Sequence, residues 1–342
     1  MLKKMLCLAM VGTFAFGVLG CGGDSKAPAK KPEPKELTIY YGTVEQQAKL
    51  LSAEFEKDTG IKVKYVRMSG GEILSRIRAE KNKPQASLWY GGSADSYIVA
   101  QKEGLLTPYQ SAATNKIPAN FKDKDGHWVG VYQGYLSFVC DTKAFEEMKQ
   151  PLPETWDDLL KPNLKGKIIM SNPGTASTGY VIVSTLAQLK GEKAAMEYFG
   201  KLHPQIKTYT KSGAAPARSA GLGECAVGLT YHQVGLRLQK DYKNIKVVIP
   251  KDGTGYEVGA AAIIKGGADE EAAKRFIDWA VSKKAQELCQ KIGSYQLLTN
   301  PEAEPLPEAK QFKDAKIINY DFAWSGANRK RLVEEWNKTV KK

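Results

Sequence analysis

The sequence predicts an α/β protein of two lobes, each built on a mainly parallel sheet with helices on both faces. Three observations lead there. Strand-like and helix-like segments alternate along the first third of the chain and again in its middle, the order that parallel strands with right-handed crossovers require. The foldable part, from near Leu37 to the C-terminus, runs to about 305 residues, a length at which one core tends to divide in two. No other scaffold competes: the 5 cysteines are widely spaced, and no period of about 20 to 50 residues recurs.

Residues 37–41 form a β-prone run that Gly42 ends. From 45 to 57, Leu50, Leu51 and Phe55 keep helical spacing, and Asp58-Thr59-Gly60 stops the helix. Residues 61–66 alternate apolar and polar as a half-buried strand does. Gly70-Gly71 opens a helix over 73–81, with Ile73, Leu74 and Ile77 on one face. Residues 86–90 make a third strand, closed by Gly91-Gly92-Ser93, and 94–103 is helical again. In the middle, a strand at 136–140 is followed by a short helix at 155–160, capped by Thr155. A strand at 167–170 ends at Ser171-Asn172-Pro173-Gly174, and one long helical span runs from 177 to 200. Strands follow at 226–230 and 246–249; the tail from 268 is helical, and an amphipathic helix over 321–338 ends the fold.

Ahead of the fold, Met1-Leu2-Lys3-Lys4 places two positive charges before an apolar run over 5–19. That run is shorter than the about 20 residues a spanning helix needs. With Gly20-Cys21 behind it, the arrangement is a secretory signal. Val18-Leu19-Gly20-Cys21 also resembles the lipobox of bacterial lipoproteins, in which the Cys is acylated and becomes the first residue. Residues 1–20 therefore read as a leader and Cys21 as the point of lipid attachment. Residues 21–36, rich in Gly, Pro and Lys with no aromatic or β-branched side chain, read as a flexible tether. The folded part is expected outside the cytoplasm, lipid-anchored to the cell envelope.

The formal net charge of +13 points to anionic partners. The charges are scattered, with no aromatic RNA-binding block and no zinc-finger spacing, so nucleic acid is not among them. Once Cys7 and Cys21 are set aside, Cys140, Cys225 and Cys289 remain, too far apart for a disulfide framework or a metal set; three buried free thiols are expected. The 3 histidines are His127, His203 and His232. No Gly-x-Ser-x-Gly elbow, phosphate-binding lysine loop or His-Glu-x-x-His motif accompanies them, which argues against an enzyme. No cofactor and no resident metal are expected, and the chain reads as a monomer.

In open α/β sheets small solutes sit outside the carboxyl ends of strands, where loops lead into helices. Gly42-Thr43, Gly91-Gly92-Ser93 and the stretch from Ser171 to Gly179, with Ser177 and Thr178, occupy such ends; Thr210-Lys211-Ser212-Gly213-Ala214 is a fourth turn of the kind. A helix N-terminus presents unpaired N–H groups and a positive dipole end, so it holds an anion without a charged side chain. Small hydroxyl residues add donors and let backbone come close. Taken singly, each turn is equally a cap for its own helix. Convergence of all four on one hollow would separate the two uses.

Several phrases resemble the solute-binding proteins of ABC importers: the lipobox and tether, Thr59-Gly60-Ile61-Lys62-Val63, Leu88-Trp89-Tyr90-Gly91-Gly92-Ser93-Ala94-Asp95, Pro153-Glu154-Thr155-Trp156-Asp157-Asp158-Leu159-Leu160, Lys165-Gly166-Lys167-Ile168 and Gly253-Thr254-Gly255-Tyr256-Glu257-Val258-Gly259. The resemblance covers residues 37 to 340 and is to the ferric-iron-type branch, which also holds binders of phosphorylated sugars and phosphonates. It implies a two-lobed type II periplasmic binding protein fold whose lobes are joined by two crossing strands, with 37–139 and 259–342 in lobe 1 and 140–258 in lobe 2. It implies an ABC permease and its ATPase subunit as partners. Ferric binders in this branch use two adjacent tyrosines, which would fall at Gln233-Val234 here, and an early His, which would fall near Val44. Tyr231 and His232, or Tyr231 with Tyr41 or Tyr135, are the alternative iron set. Sugar-phosphate binders carry a Glu that Glu257 matches and a His-Asp where this chain has Gln233-Val234; the Gln keeps a hydrogen-bonding side chain and the Val loses an acceptor. The implied cargo is a small anionic solute, an organophosphate, sugar phosphate or phosphonate, held by Thr43, Gly92, Ser93, Ser177, Thr178, Ser212, Gln233 and Glu257. A ligand-sensing lipoprotein without a transport role is the other reading.

Overall fold

Ten strands are found among the described residues of the computed structural model, which are 33–312 and 314–340. They are β1 (Glu36–Tyr41), β2 (Lys62–Arg67), β3 (Leu88–Ser93), β4 (Leu106–Thr107), β5 (Val129–Asp141), β6 (Ile168–Ser171), β7 (Ile206–Thr210), β8 (Val227–Tyr231), β9 (Ile245–Val248) and β10 (Tyr256–Ile264). The leader, Cys21 and nearly all of the tether lie outside the described residues. Pro34–Lys342 forms one unit.

Two wings carry the expected parallel pairing. In the first, β1 pairs in parallel with β2 and β3. In the second, β6 pairs in parallel with β7 and β8. Between them run β5 and β10, antiparallel to each other and to their neighbours. β5 pairs with β10 as far as Tyr135 and with β8 from Leu136 onward, so a single strand passes from one wing to the other. β10 starts at that crossing with Tyr256 and Glu257 and ends beside β3. The sheet is thus mixed at its centre and parallel in its wings, the type II periplasmic binding protein arrangement.

Period-two alternation covers both faces of each wing. Leu37, Ile39 and Tyr41 pack with Phe55 and Phe276 on one face, whereas Tyr40 packs with Trp89 and Tyr97 on the other. In the second wing Phe138 and Cys140 join Trp156, Met170 and Tyr180, and the intervening Val139 joins Ile169 and Leu236. Cys140, Cys225 and Cys289 are buried and unpaired. No helix among the described residues is long and apolar enough to cross a membrane.

Four details depart from the sequence reading. The span 177–200 is two helices, Ser177–Lys190 and Glu192–Leu202. Gly191 between them has φ 85°, which no continuous helix accommodates; apolar residues on both sides of it concealed the break. The third strand does not close at Tyr90. It continues through Gly91-Gly92-Ser93 with both glycines at φ 86°, where the pairing with β10 shifts register. β7 was not anticipated, because Ile-Lys-Thr-Tyr-Thr is polar and lies at the sheet edge. The final helix, Phe322–Val340, falls in the span read as lobe 1 but buries Leu332 and Trp336 in the core of the second wing.

Candidate functional site

A cavity of about 110 Å³ lies where the carboxyl ends of β1, β2, β6, β7 and β8 meet the bulge of β3. Its lining includes Thr43, Gly92, Ser177, Thr178, Ser212, Gln233 and Glu257, so residues from all four strand-end turns share one hollow. Ser93 does not line it. It is fully buried and its hydroxyl sits against Asp95. Strand alternation is the reason: with Gly92 at the cavity wall, the next residue faces the opposite way.

The turns differ in what they offer. The helix Ser177–Lys190 has 14 residues and begins after Ala176 with no capping side chain, leaving its first-turn N–H groups without a local acceptor at the cavity wall. Ser177 Oγ is buried and has no protein partner. Glycine is required opposite it: a Cβ on Gly70 would run into Ser177 Oγ, and one on Gly213 into Thr178 Oγ1. The turn at Ser212 is held from below, where Thr210 Oγ1 donates to Ser212 O at 2.9 Å and Thr230 Oγ1 to Gly213 O at 2.7 Å. The helix that follows, Ala215–Gly221, has only 7 residues. This turn supplies small size and a hydroxyl rather than a helix-end field.

Glu257 also lines the cavity, at 5 % exposure. Gln233 Nε2 donates to its Oε1 at 3.1 Å, and the Tyr231 hydroxyl faces it. Among the described residues no cation pairs with it. Burial pushes the Glu257 carboxyl up to about 8, against the pull of Tyr231 and Gln233 and with a further push from Asp95, so it is mostly protonated at neutral pH. A neutral carboxylic acid both donates and accepts a hydrogen bond. Gln233 Oε1 is buried without a partner. A buried acceptor left in this state is expensive, and it invites a donor such as a solute hydroxyl.

The wings touch across the cavity mouth. Ser69 Oγ donates to Lys211 O at 3.2 Å and Arg237 Nη1 to Gln46 Oε1 at 2.9 Å. The sequence reading missed Arg67, Tyr132, Gln47, Gln296 and Arg237 as lining residues. Arg67 was within reach of the same rule, since it ends β2 as Tyr41 ends β1; its Nε donates to Thr43 O at 2.9 Å. Gln47 Nε2 donates to Gln296 Oε1 at 3.0 Å, and Gln296 lies in a coil segment with no motif to flag it. Tyr132 sits mid-strand in β5, where its hydroxyl accepts from Gly92 N at 3.2 Å.

Of the alternative iron set, only Tyr231 lines the cavity. His232 is fully buried, its Nδ1 accepts from Tyr135 N at 3.0 Å, and its ring packs against Phe312; burial lowers it to about 4. Tyr41 is buried in the core with its hydroxyl accepting from Ser52 at 3.3 Å. Tyr135 is not part of the lining. Two phenolates and an imidazole are therefore not brought together here.

A family model described as bacterial extracellular solute-binding protein matches residues 92–323. An uncharacterized protein of Haemophilus influenzae is 37% identical over 314 residues, covering 89% of this chain and 90% of that protein. The periplasmic binding protein AfuA from Actinobacillus pleuropneumoniae, solved with exogenous fructose-6-phosphate bound, superimposes with a TM-score of 0.87 at 37% identity, over 90% of this chain and 99% of AfuA. An Fe(3+)-binding periplasmic protein of Serratia marcescens is 24% identical over 340 residues, 97% of this chain and 96% of that protein. With the cleft geometry and these relationships together, the chain belongs to the bacterial extracellular solute-binding protein family, as an exported binding component of an ABC importer and not an enzyme.

Proposed function

We propose that the cleft captures a small phosphorylated polyol, a sugar phosphate, with phosphonates of similar polarity as its closest competitors. The phosphate rests on the uncapped N–H groups of the helix Ser177–Lys190, helped by the hydroxyls of Ser177, Thr178, Ser212 and Thr43 and by the bare backbone at Gly92. The hydroxyl-bearing end meets Gln233 and the protonated Glu257. The observation that carries this reading is the pairing, in one cavity, of an uncapped helix end with a buried acid that has no counter-ion among the described residues. The first suits an anion and the second a neutral hydroxyl. AfuA, solved with fructose-6-phosphate bound, adds support through its 37% identity.

Capture works by closure. The solute binds one lobe (37–139 with 259–321), and the other (140–258 with the final helix packed in its core) rotates about β5 and β10 to bury it. Contacts made only in the closed state bias that equilibrium. Cys21 would hold the chain to the envelope by lipid, the tether giving it reach, and the closed monomer would dock on a permease whose ATPase subunit spends the ATP.

Thermal unfolding against fructose 6-phosphate, 2-aminoethylphosphonate, inorganic phosphate and ferric citrate tests the reading. At 100 times its dissociation constant the true solute adds about 2.7 kcal/mol of stability. Fructose 6-phosphate is expected to give the largest shift. A shift with ferric citrate alone, accompanied by a charge-transfer colour, would contradict the proposal and return Tyr231 to the role of an iron ligand.

A further inference from the structure

A second hollow, about 520 Å³, adjoins the cavity at its mouth and shares Arg67, Ser212 and Arg237 with it. Arg218 reaches this outer hollow but not the inner one. Three guanidinium groups from three different elements thus surround one space: Arg67 at the end of β2, Arg218 on Ala215–Gly221 and Arg237 on His232–Leu238.

None of the three has a carboxylate at ion-pair distance among the described residues. Glu45 also lines the hollow, but its carboxylate accepts from the Tyr65 hydroxyl at 2.8 Å and pairs with none of them. Asp241 is the acid that acts on Arg237, from beyond ion-pair distance. Two of the side chains are positioned without it: Arg67 by Thr43 O at 2.9 Å and Arg237 by Gln46 Oε1 at 2.9 Å. Burial and the charge of Arg218 hold Arg237 below the usual guanidinium range. Like charges kept together with no acid paired to any of them repel, and an arriving anion relieves that repulsion while finding donors already in place. The inner cavity already offers one anion seat at the Ser177 helix end, so the outer arginines make a second.

We propose that the mouth is a second anion subsite and that the protein prefers a solute with an anionic group at each end, a sugar bisphosphate. One phosphate sits on the Ser177 turn and the other between Arg67, Arg218 and Arg237. The proposal rests on the sugar-phosphate reading above and narrows it.

Calorimetric titration of the wild type and of Arg218→Gln with fructose 6-phosphate and fructose 1,6-bisphosphate tests it. Arg218 is exposed and touches only the outer hollow. The wild type should bind the bisphosphate at least about tenfold more tightly than the monophosphate, a gain in keeping with one charge-assisted contact. That advantage should shrink between about 50 mM and 300 mM salt, as exposed charges are screened. Arg218→Gln should lose most of the advantage while its affinity for the monophosphate stays within about twofold of wild type. Should the variant fail to fold, the wild-type comparison and its salt dependence decide. Equal affinities in the wild type, or an undiminished advantage in a folded Arg218→Gln, overturn the second subsite and leave the sugar-phosphate reading standing. A wild type that holds neither ester overturns both.

Discussion

Asp95 and Glu257 are both buried carboxyl groups, at 0 % and 5 % exposure, and their surroundings could hardly differ more. Asp95 lies in the seam between the wings and does not line the cavity, although its charge reaches Glu257. Arg329 from the final helix pairs with its Oδ2 at 3.1 Å, and Ser96 N donates to its Oδ1 at 2.9 Å. The same guanidinium stacks 4.3 Å from the centre of the Tyr180 ring, whose hydroxyl donates to Ser325 O. Burial raises Asp95 and the Arg329 charge opposes the rise. Glu257 has no such counter-charge, only Gln233 and Tyr231. A buried acid supplied with a cation ties elements together; a buried acid left half-satisfied beside a hollow is waiting for a partner from outside. The contrast separates scaffold from site within one molecule.

The comparison can be broken from either side. The largest effect belongs to the seam. Arg329→Met leaves Asp95 buried without its charge partner, and denaturant unfolding should lose about 3–5 kcal/mol; a loss below about 1 kcal/mol, the worth of an exposed pair, would demote the seam. Next comes the cleft wall. Gly70→Val drives a branched side chain toward Ser177 Oγ, so fructose 6-phosphate binding by calorimetry should weaken by about 1–3 kcal/mol, the usual cost of overpacking. Unchanged affinity would mean that the wings do not close against each other at that point.

A pH dependence, whose size accumulates over the window it spans, tests the Glu257 side of the contrast. In the unfolded chain Glu257 gives up its proton near 4.5, whereas in the fold it keeps it until about 8. Wild-type stability should therefore fall, relative to Glu257→Gln, as pH rises through that window, by at most about 1.4 kcal/mol per pH unit. Below the window and above it the difference should be level. A difference that rises with pH would show a carboxylate stabilised in its charged form. The smallest effect is on affinity: Glu257→Ala should weaken fructose 6-phosphate binding by more than about 1 kcal/mol, the cost of one lost polar contact.

Local signals carried much of this in the bare sequence. A β-prone run followed by Gly-Thr, Gly-Gly-Ser or Ser-Thr-Gly announces a strand end and a helix start, and strand ends are where α/β sheets hold their solutes. Thr43, Gly92, Ser177, Thr178 and Ser212 came from that rule, and all five line the cavity. Glu257 and Gln233 came only through family resemblance, because a lone Glu in Gly255-Tyr256-Glu257-Val258 has no local mark of burial. Ser93 was misplaced because the sequence reading ended the strand at Tyr90, whereas β3 runs on through Gly91-Gly92 and its alternation turns Ser93 away from the cavity. Arg329 and Asp95 meet across 234 residues, and no pattern along the chain predicts such a pair. The same holds for Gln296, brought beside Gln47 from 249 residues away.

The central claim is that one cavity grips a phosphate at the Ser177 helix end and a hydroxyl at Glu257, and a co-crystal structure with fructose 6-phosphate tests it most directly. The account predicts phosphate oxygens within hydrogen-bond reach of Ser177, Thr178 and Ser212, and a sugar hydroxyl on the Glu257 carboxyl. An ester lodged elsewhere, or a cleft that stays closed to it at millimolar concentration, would contradict it.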